Sequence, residues 1–216
     1  GMRELAGQGT LFSGIDLALV SHRHHEHNQP AFACTFLKAS RATEVYASEQ
    51  VVGLVREFCR ELVTTSGRVH TIDPQYGLPE VIERDGIRVT VFPLTHGSKY
   101  ARIKNFAHLV EIGGMKVLHV GDAAFEPADY EKSGLADVKL DVALIPIAYF
   151  QPGPGIEIIE RYMNAPVKIA VHIPPGELEE IKGLVAPAHP QLIFLDEPLQ
   201  QLRFSAAAPP PPQPEQ

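Results

Sequence analysis

Residues 15–27 read Ile15-Asp16-Leu17-Ala18-Leu19-Val20-Ser21-His22-Arg23-His24-His25-Glu26-His27. The first seven form a compact apolar run, short enough for a buried strand, and the run stops at His22. Four histidines and one glutamate then fall within six residues. In an extended segment side chains two apart share a face, so His22 and His24 project together. If the chain turns into a helix after them, Glu26 and His27 face the same cavity from the other side. Imidazole is the commonest metal ligand near neutral pH, and imidazole with carboxylate suits zinc, iron or manganese. The competing reading is a solvent-exposed His-rich loop. Placement at the end of a buried strand, where active sites gather, favours a metal centre. His25, between the ligands, is expected to point away.

Three segments downstream repeat the placement. Ile87–His96 is a strand pattern ending in a histidine before Gly97, Val117–Asp122 one ending in Gly-Asp, and Val167–His172 one ending in a histidine before Pro174. A strand-terminal His or Asp is by itself an ordinary cap or turn former. Together with the first cluster, the three become candidate ligands.

The remaining pattern supplies a frame. Pro30 to Ser40 reads as a helix with proline in its first turn. Val45–Ala47 is a short strand, and Ser48 caps a helix over roughly 49–63 with apolar residues at helical spacing. Val69–Ile72, Pro79–Arg84, Ile87–Pro93, Phe106–Ile112 and Lys116–Val120 read as a meander, with Asp85-Gly86 and Gly113-Gly114 as hairpin turns. Val142–Pro146, a helix near 155–163, Val167–Val171, a helix over Glu177–Leu184, and strands at Leu192–Leu195 and Leu199–Phe204 complete an alternating α/β pattern. The domain is expected over 15–204, after an irregular lead-in at 1–14 and before a Pro-rich tail at 205–216.

Composition narrows the function. A net charge of −7 gives no general attraction to phosphate backbones, so no nucleic-acid partner is expected. No apolar run is long enough to span a bilayer and no signal-like segment opens the chain, so no membrane contact and a cytoplasmic location are expected. The two cysteines, Cys34 and Cys59, make neither a disulfide framework nor a thiolate zinc site and are read as core residues on helices.

The order His-x-His-x-acid-His, a later His, Gly-Asp and a final His resembles the metallo-β-lactamase superfamily over residues 15–195. In detail it looks most similar to the branch containing ascorbate-6-phosphate lactonase, through Gly86–Val91, Leu118–Ala123 and Asp141–Ile147. The resemblance implies a four-layer αββα sandwich. It implies that His22, His24 and His96 hold one divalent ion, that Glu26, His27 and His172 hold a second, and that Asp122 bridges them. Zinc is the first choice of metal, with manganese or iron as alternatives. The implied activity is hydrolysis of an ester, lactone, phosphoester or amide of a small-molecule substrate by a metal-bound hydroxide, with Glu26 or Asp122 orienting the water. Lys99 and Tyr100 after His96, and Tyr149 after the 142–146 strand, are expected to meet substrate.

Two features depart from the family pattern. Glu26 stands where the family has aspartate, which moves the carboxylate outward, and a 1 Å error in such a site can cost about a hundredfold in rate. The family also begins with a β-hairpin, whereas the lead-in here does not read as strands. The fold is therefore expected to lack that hairpin, with a second copy of the chain covering the exposed edge. The alternative function that these departures suggest is a weak or inactive metal-binding member serving as a ligand-binding or assembly subunit.

Overall fold

The computed structural model describes residues 14–174, 176–198 and 200–205. The lead-in up to residue 13 and the Pro-rich tail from residue 206 lie outside the described residues. Two sheets face each other. The smaller is parallel, in the order β1 (Leu17–Leu19), β2 (Glu44–Ala47), β3 (Val69–Thr71). Helices α1 (Pro30–Ala39) and α2 (Glu49–Thr65) connect its strands. The larger has six strands in sequence order: β4 (Glu80–Arg84), β5 (Ile87–Pro93), β6 (Phe106–Ile112), β7 (Met115–His119), β8 (Val142–Pro146) and β9 (Val167–Val171). The first four are antiparallel, and β8 and β9 continue parallel to β7. Helices α3 (Pro127–Ser133), α4 (Pro154–Tyr162) and α5 (Leu178–Val185) come from the second half.

Alternation along the strands sorts the core into layers. Val89, Val91 and Phe106 meet Leu17, Leu19 and Tyr46 between the sheets. Phe92, Ala107, Leu109 and Leu118 face the other way, against Tyr130, Ile158 and Tyr162 of α3 and α4. Val45 and Ala47 of β2 pack under Cys34, Leu37, Val51 and Val55 of α1 and α2. This is the αββα arrangement. The Asp85-Gly86 turn joins β4 to β5 through two residues at positive φ, 46° and 81°, which suits the twist of a tight hairpin.

Three local expectations are corrected. Leu192–Leu195 contributes only a single bridge, Ile193 to Ile169, and residues 200–204 form no strand. Helix α3 went unread: it has only seven residues, too few for a periodic signal, although Pro127 opens it and Gly134 in the left-handed region closes it. Cys34 and Cys59 are core residues, 4% and 8% exposed, but they are also bonded to each other and tie α1 to α2.

The topology brings the strand ends together. β5 runs antiparallel to β6 and β6 to β7, so β5, β7, β8 and β9 all point one way. Their C-terminal ends therefore share one edge. The end of β1 joins that edge through Phe106 N–H, which donates to the Ser21 carbonyl at 2.9 Å. Among the described residues β1 pairs only with β2. No described helix is long and apolar enough to cross a membrane.

Candidate metal centre

Each strand end delivers a ligand-type side chain to the shared edge. His22 and His24 follow β1, His96 follows β5, Asp122 follows β7 and His172 follows β9. Glu26 and His27 come from the turn after His24, where the His27 and Asn28 N–H groups both donate to the His24 carbonyl. The seven residues fall into two groups: His22, His24, His96 and Asp122, and Glu26, His27, Asp122 and His172. Within each, one ligand atom per residue lies within 4.8 Å of all the others. Asp122 belongs to both. The structure thus brings together every ligand candidate read from the sequence.

The first group converges tightly. His24 Nδ1 lies 3.2 Å from His22 Nε2 and 3.1 Å from His96 Nε2. Asp122 Oδ2 is 3.5 Å from His22 Nε2 and 3.7 Å from His96 Nε2. Four donors held around zinc at its usual bond lengths stand about 3.4 Å apart, so this set has the size of a tetrahedral shell. In the second group, Asp122 Oδ1 is 3.3 Å from His27 Nε2, and Asp122 Oδ2 is 3.3 Å from His172 Nε2. The buried His27 Nε2 and Asp122 Oδ1 atoms face each other and find no other hydrogen-bond partner among the described residues. Buried polar atoms are almost always satisfied, and two lone-pair carriers aimed at one space fit a cation. Glu26 approaches from outside, with its side chain 57% exposed. The donor set fits divalent metal at both positions, more loosely at the second.

Electrostatics suit ligation. Burial, reinforced by the neighbouring His27, pushes His22 down to about 3, and burial also lowers His96 and His119. These rings are neutral near pH 7 and keep a lone pair for a metal. Burial works against ionisation of Asp122, but the adjoining His27, with His172 and His22, outweighs it and holds the carboxyl at about 2. His172 adopts φ +56°, a left-handed conformation uncommon for a residue with a side chain. Such strain gathers at functional positions, where the surroundings over-determine the backbone.

Supporting residues lie around the ligands. Asn105, 2% exposed, donates from Nδ2 to the Leu94 and Val120 carbonyls and accepts from Asp122 N–H at 3.0 Å. It clasps the ends of β5 and β7, fixing where His96 and Asp122 emerge. Gly121 is at φ +60°, and a Cβ there would stand 2.2 Å from Asn105 Oδ1. Only glycine permits that approach. Asp129 of α3 accepts from the Thr95 backbone N–H and hydroxyl, and so braces the His96 loop. His119 Nδ1 accepts from Gly121 N–H. The sequence offered no signal for Asn105 or Asp129, because their partners are remote in the chain.

The three substrate-contact expectations divide. Lys99 and Tyr100 lie on a short 3-10 turn at the mouth. The Tyr100 ring is 5.0 Å from His24 and 4.9 Å from His96, and Lys99 Nζ is 5.2 Å from the Tyr100 ring. Tyr149 is corrected: it is 1% exposed, and its hydroxyl donates to the Ala123 carbonyl at 2.7 Å. It holds the turn after Asp122 from within, because the 3-10 turn after β8 rolls it into the core.

The profile described as Beta-lactamase superfamily domain matches residues 3–189. A UPF0173 metal-dependent hydrolase of Thermococcus onnurineus is 27% identical over 180 residues, which cover 79% of this chain and 74% of that protein. A protein of the same description from Pyrococcus abyssi is 25% identical over 184 residues, covering 81% and 76%. Among solved structures, the metallo-beta-lactamase fold protein YhfI from Bacillus subtilis gives a TM-score of 0.59 at 14% identity, over 89% of this chain and 79% of that one. Zinc-bound PqqB from Methylobacterium extorquens gives 0.57 at 17% identity, over 90% and 76%. These structural likenesses bear on the fold alone. The narrower likeness to the lactonase branch rests on the sequence motifs and is not part of what the relatives share. A profile spanning most of the chain, over a fold of this architecture, settles the family: the chain belongs to the beta-lactamase superfamily.

Proposed function

We propose that residues 15–204 form a hydrolase domain acting on an ester, lactone, phosphoester or amide of a small molecule, with two divalent ions, zinc first. His22, His24 and His96 would hold one ion, Glu26, His27 and His172 the other, and Asp122 both. The observation that carries this reading is the pair of donor groups sharing the Asp122 carboxylate. Bound there, such ions supply Lewis acidity and lower the pKa of water towards neutrality. Glu26 or Asp122 would orient the attacking water. Neutral His22 and His96 keep their rings fixed. Lys99 and Tyr100, exposed at the mouth, would contact the substrate, with Lys99 suited to an anionic portion. A lactone is the first substrate class to try, on the strength of the motif resemblance.

The test is metal content by mass spectrometry alongside turnover on lactones, aryl esters and phosphodiesters, with and without chelator. About two equivalents of metal and chelator-sensitive turnover are expected. A protein that takes up no ion, or turns over equally after chelation, overturns the reading. Glu26 sharpens it. Its carboxylate already lies among the second donor group, so Glu26→Asp withdraws the oxygens by one carbon. Turnover is expected to fall about 10- to 100-fold with loss of the second ion first. A gain in turnover would instead mark Glu26 as the residue that holds the site back.

We also propose that a second copy of the chain pairs along the side of β1 that has no strand partner among the described residues, since unpaired strand edges attract partners. A dimeric mass by light scattering at micromolar concentration is the expected result, and a clean monomer contradicts it.

A further inference from the structure

One hydroxyl touches both halves of the centre. Ser21 directly precedes His22 and is 5% exposed. Its Oγ lies 3.1 Å from His22 Nδ1 and 3.3 Å from His27 Nδ1. His22 belongs to the first donor group and His27 to the second. The two rings are 4.1 Å apart, and their far nitrogens face the two oxygens of Asp122: His22 Nε2 at 3.5 Å from Oδ2, His27 Nε2 at 3.3 Å from Oδ1.

A neutral imidazole carries its proton on one nitrogen, and the hydrogen bond made by that nitrogen decides which. A hydroxyl oxygen has two acceptor lone pairs. Two Nδ1–H groups can therefore donate to Ser21 Oγ at once, and both Nε2 lone pairs then face Asp122. Were either ring to carry its proton on Nε2, that proton would point into the donor group and block ligation. The backbone that carries the hydroxyl is held on two sides. The Ser21 carbonyl accepts from Phe106 N–H. A Cβ on Gly121 would come within 2.9 Å of Ser21 Cβ, so the two backbones meet at closest approach.

We infer that Ser21 is a positioning residue that sets the tautomer of His22 and His27 together and so couples the two ion sites. The inference rests on the metal-centre reading above. Outer hydrogen-bond partners of metal-binding histidines carry about 10- to 100-fold in metal affinity, and here one group serves both sites.

Two measurements test it. The first is nitrogen-15 NMR of ring-labelled, metal-free protein near pH 7.5, with His22 and His27 assigned by substitution. Ser21→Ala is expected to move proton from Nδ1 to Nε2 on both rings relative to the parent, because the Asp122 carboxylate is the competing acceptor at Nε2. The same tautomer distribution in parent and variant overturns the inference. The second is titration with Zn2+ alone of the parent, Ser21→Ala and Ser21→Thr. Alanine is expected to weaken both sites by about 10- to 100-fold and to let the tautomers mix. Threonine, which keeps the hydroxyl, is expected to stay within a few-fold of the parent. Alanine binding both ions with parental affinity, or weakening only one site, overturns the coupling. If the parent itself binds no Zn2+, the metal-centre reading fails, while the ring tautomers still decide what Ser21 does.

Discussion

Asp122→Asn is expected to leave the chain with at most one ion and to lower turnover by roughly a hundred- to a thousandfold, the loss seen when a preorganised charge is removed from a reaction site. Four imidazole Nε2 atoms, from His22, His27, His96 and His172, lie 3.3–3.7 Å from its oxygens. Among the described residues, no other carboxylate belongs to both donor groups. Asparagine keeps the shape but replaces one acceptor by an N–H donor and removes the charge that offsets two cations. The fold should survive, because the clasp on this residue is made by its backbone N–H to Asn105 Oδ1, and asparagine retains that N–H. Circular dichroism and melting of the metal-free variant are therefore expected to match the parent, while metal analysis and kinetics diverge. A variant that keeps two ions and parental turnover would remove Asp122 from the centre.

Much of the candidate site is legible in the sequence because its candidate ligands follow strands. A buried strand announces itself by an apolar run, and the chemistry begins where the run stops. The β5, β6, β8 and β9 boundaries read from the sequence coincide with those in the structure, and in β5 and β6 the alternation separates an inter-sheet face from a helix-covered face. His96, Asp122 and His172 then follow directly. What the sequence conceals are contacts between remote positions. Asn105 looks like any loop residue until its three partners, at Leu94, Val120 and Asp122, are placed around it. Tyr149 reads as a pocket residue because it follows a strand, but the 3-10 turn there reverses its direction. The cysteines are 25 residues apart on two helices, and nothing in that spacing states that the helices lie side by side.

That bond carries the second large effect. It closes a loop of 25 residues containing β2 and the start of α2. In the chain-entropy account, a loop of that length stabilises the native state by about 3.5 kcal/mol, all of which reduction would remove. For a domain of this size the melting temperature is expected to fall by about 7–14 °C on reduction, or in Cys34→Ala with Cys59→Ala. Both sulfurs are buried among Leu37, Val51 and Val55 and lie off the donor groups, so reduction adds no new ligand. The consequence for the site runs through α1, which begins three residues after His27 and is held against α2 by this bond. With the bond cut, α1 keeps its apolar packing on α2 but loses its covalent tie, so the Glu26–His27 turn is held less firmly. The second ion should then dissociate more readily than the first, which draws on the more rigid ends of β1 and β5. Disulfides persist in oxidising compartments, which weighs against the cytoplasmic location expected from the absence of a signal-like segment. Thiol counting on protein alkylated at the moment of cell lysis decides between them. No free thiol per chain means that the bond forms in the cell and the predicted stability is its working stability. Two free thiols mean that Cys34 and Cys59 serve there only as packed apolar groups, and the melting shift would then be absent between lysate and reduced protein.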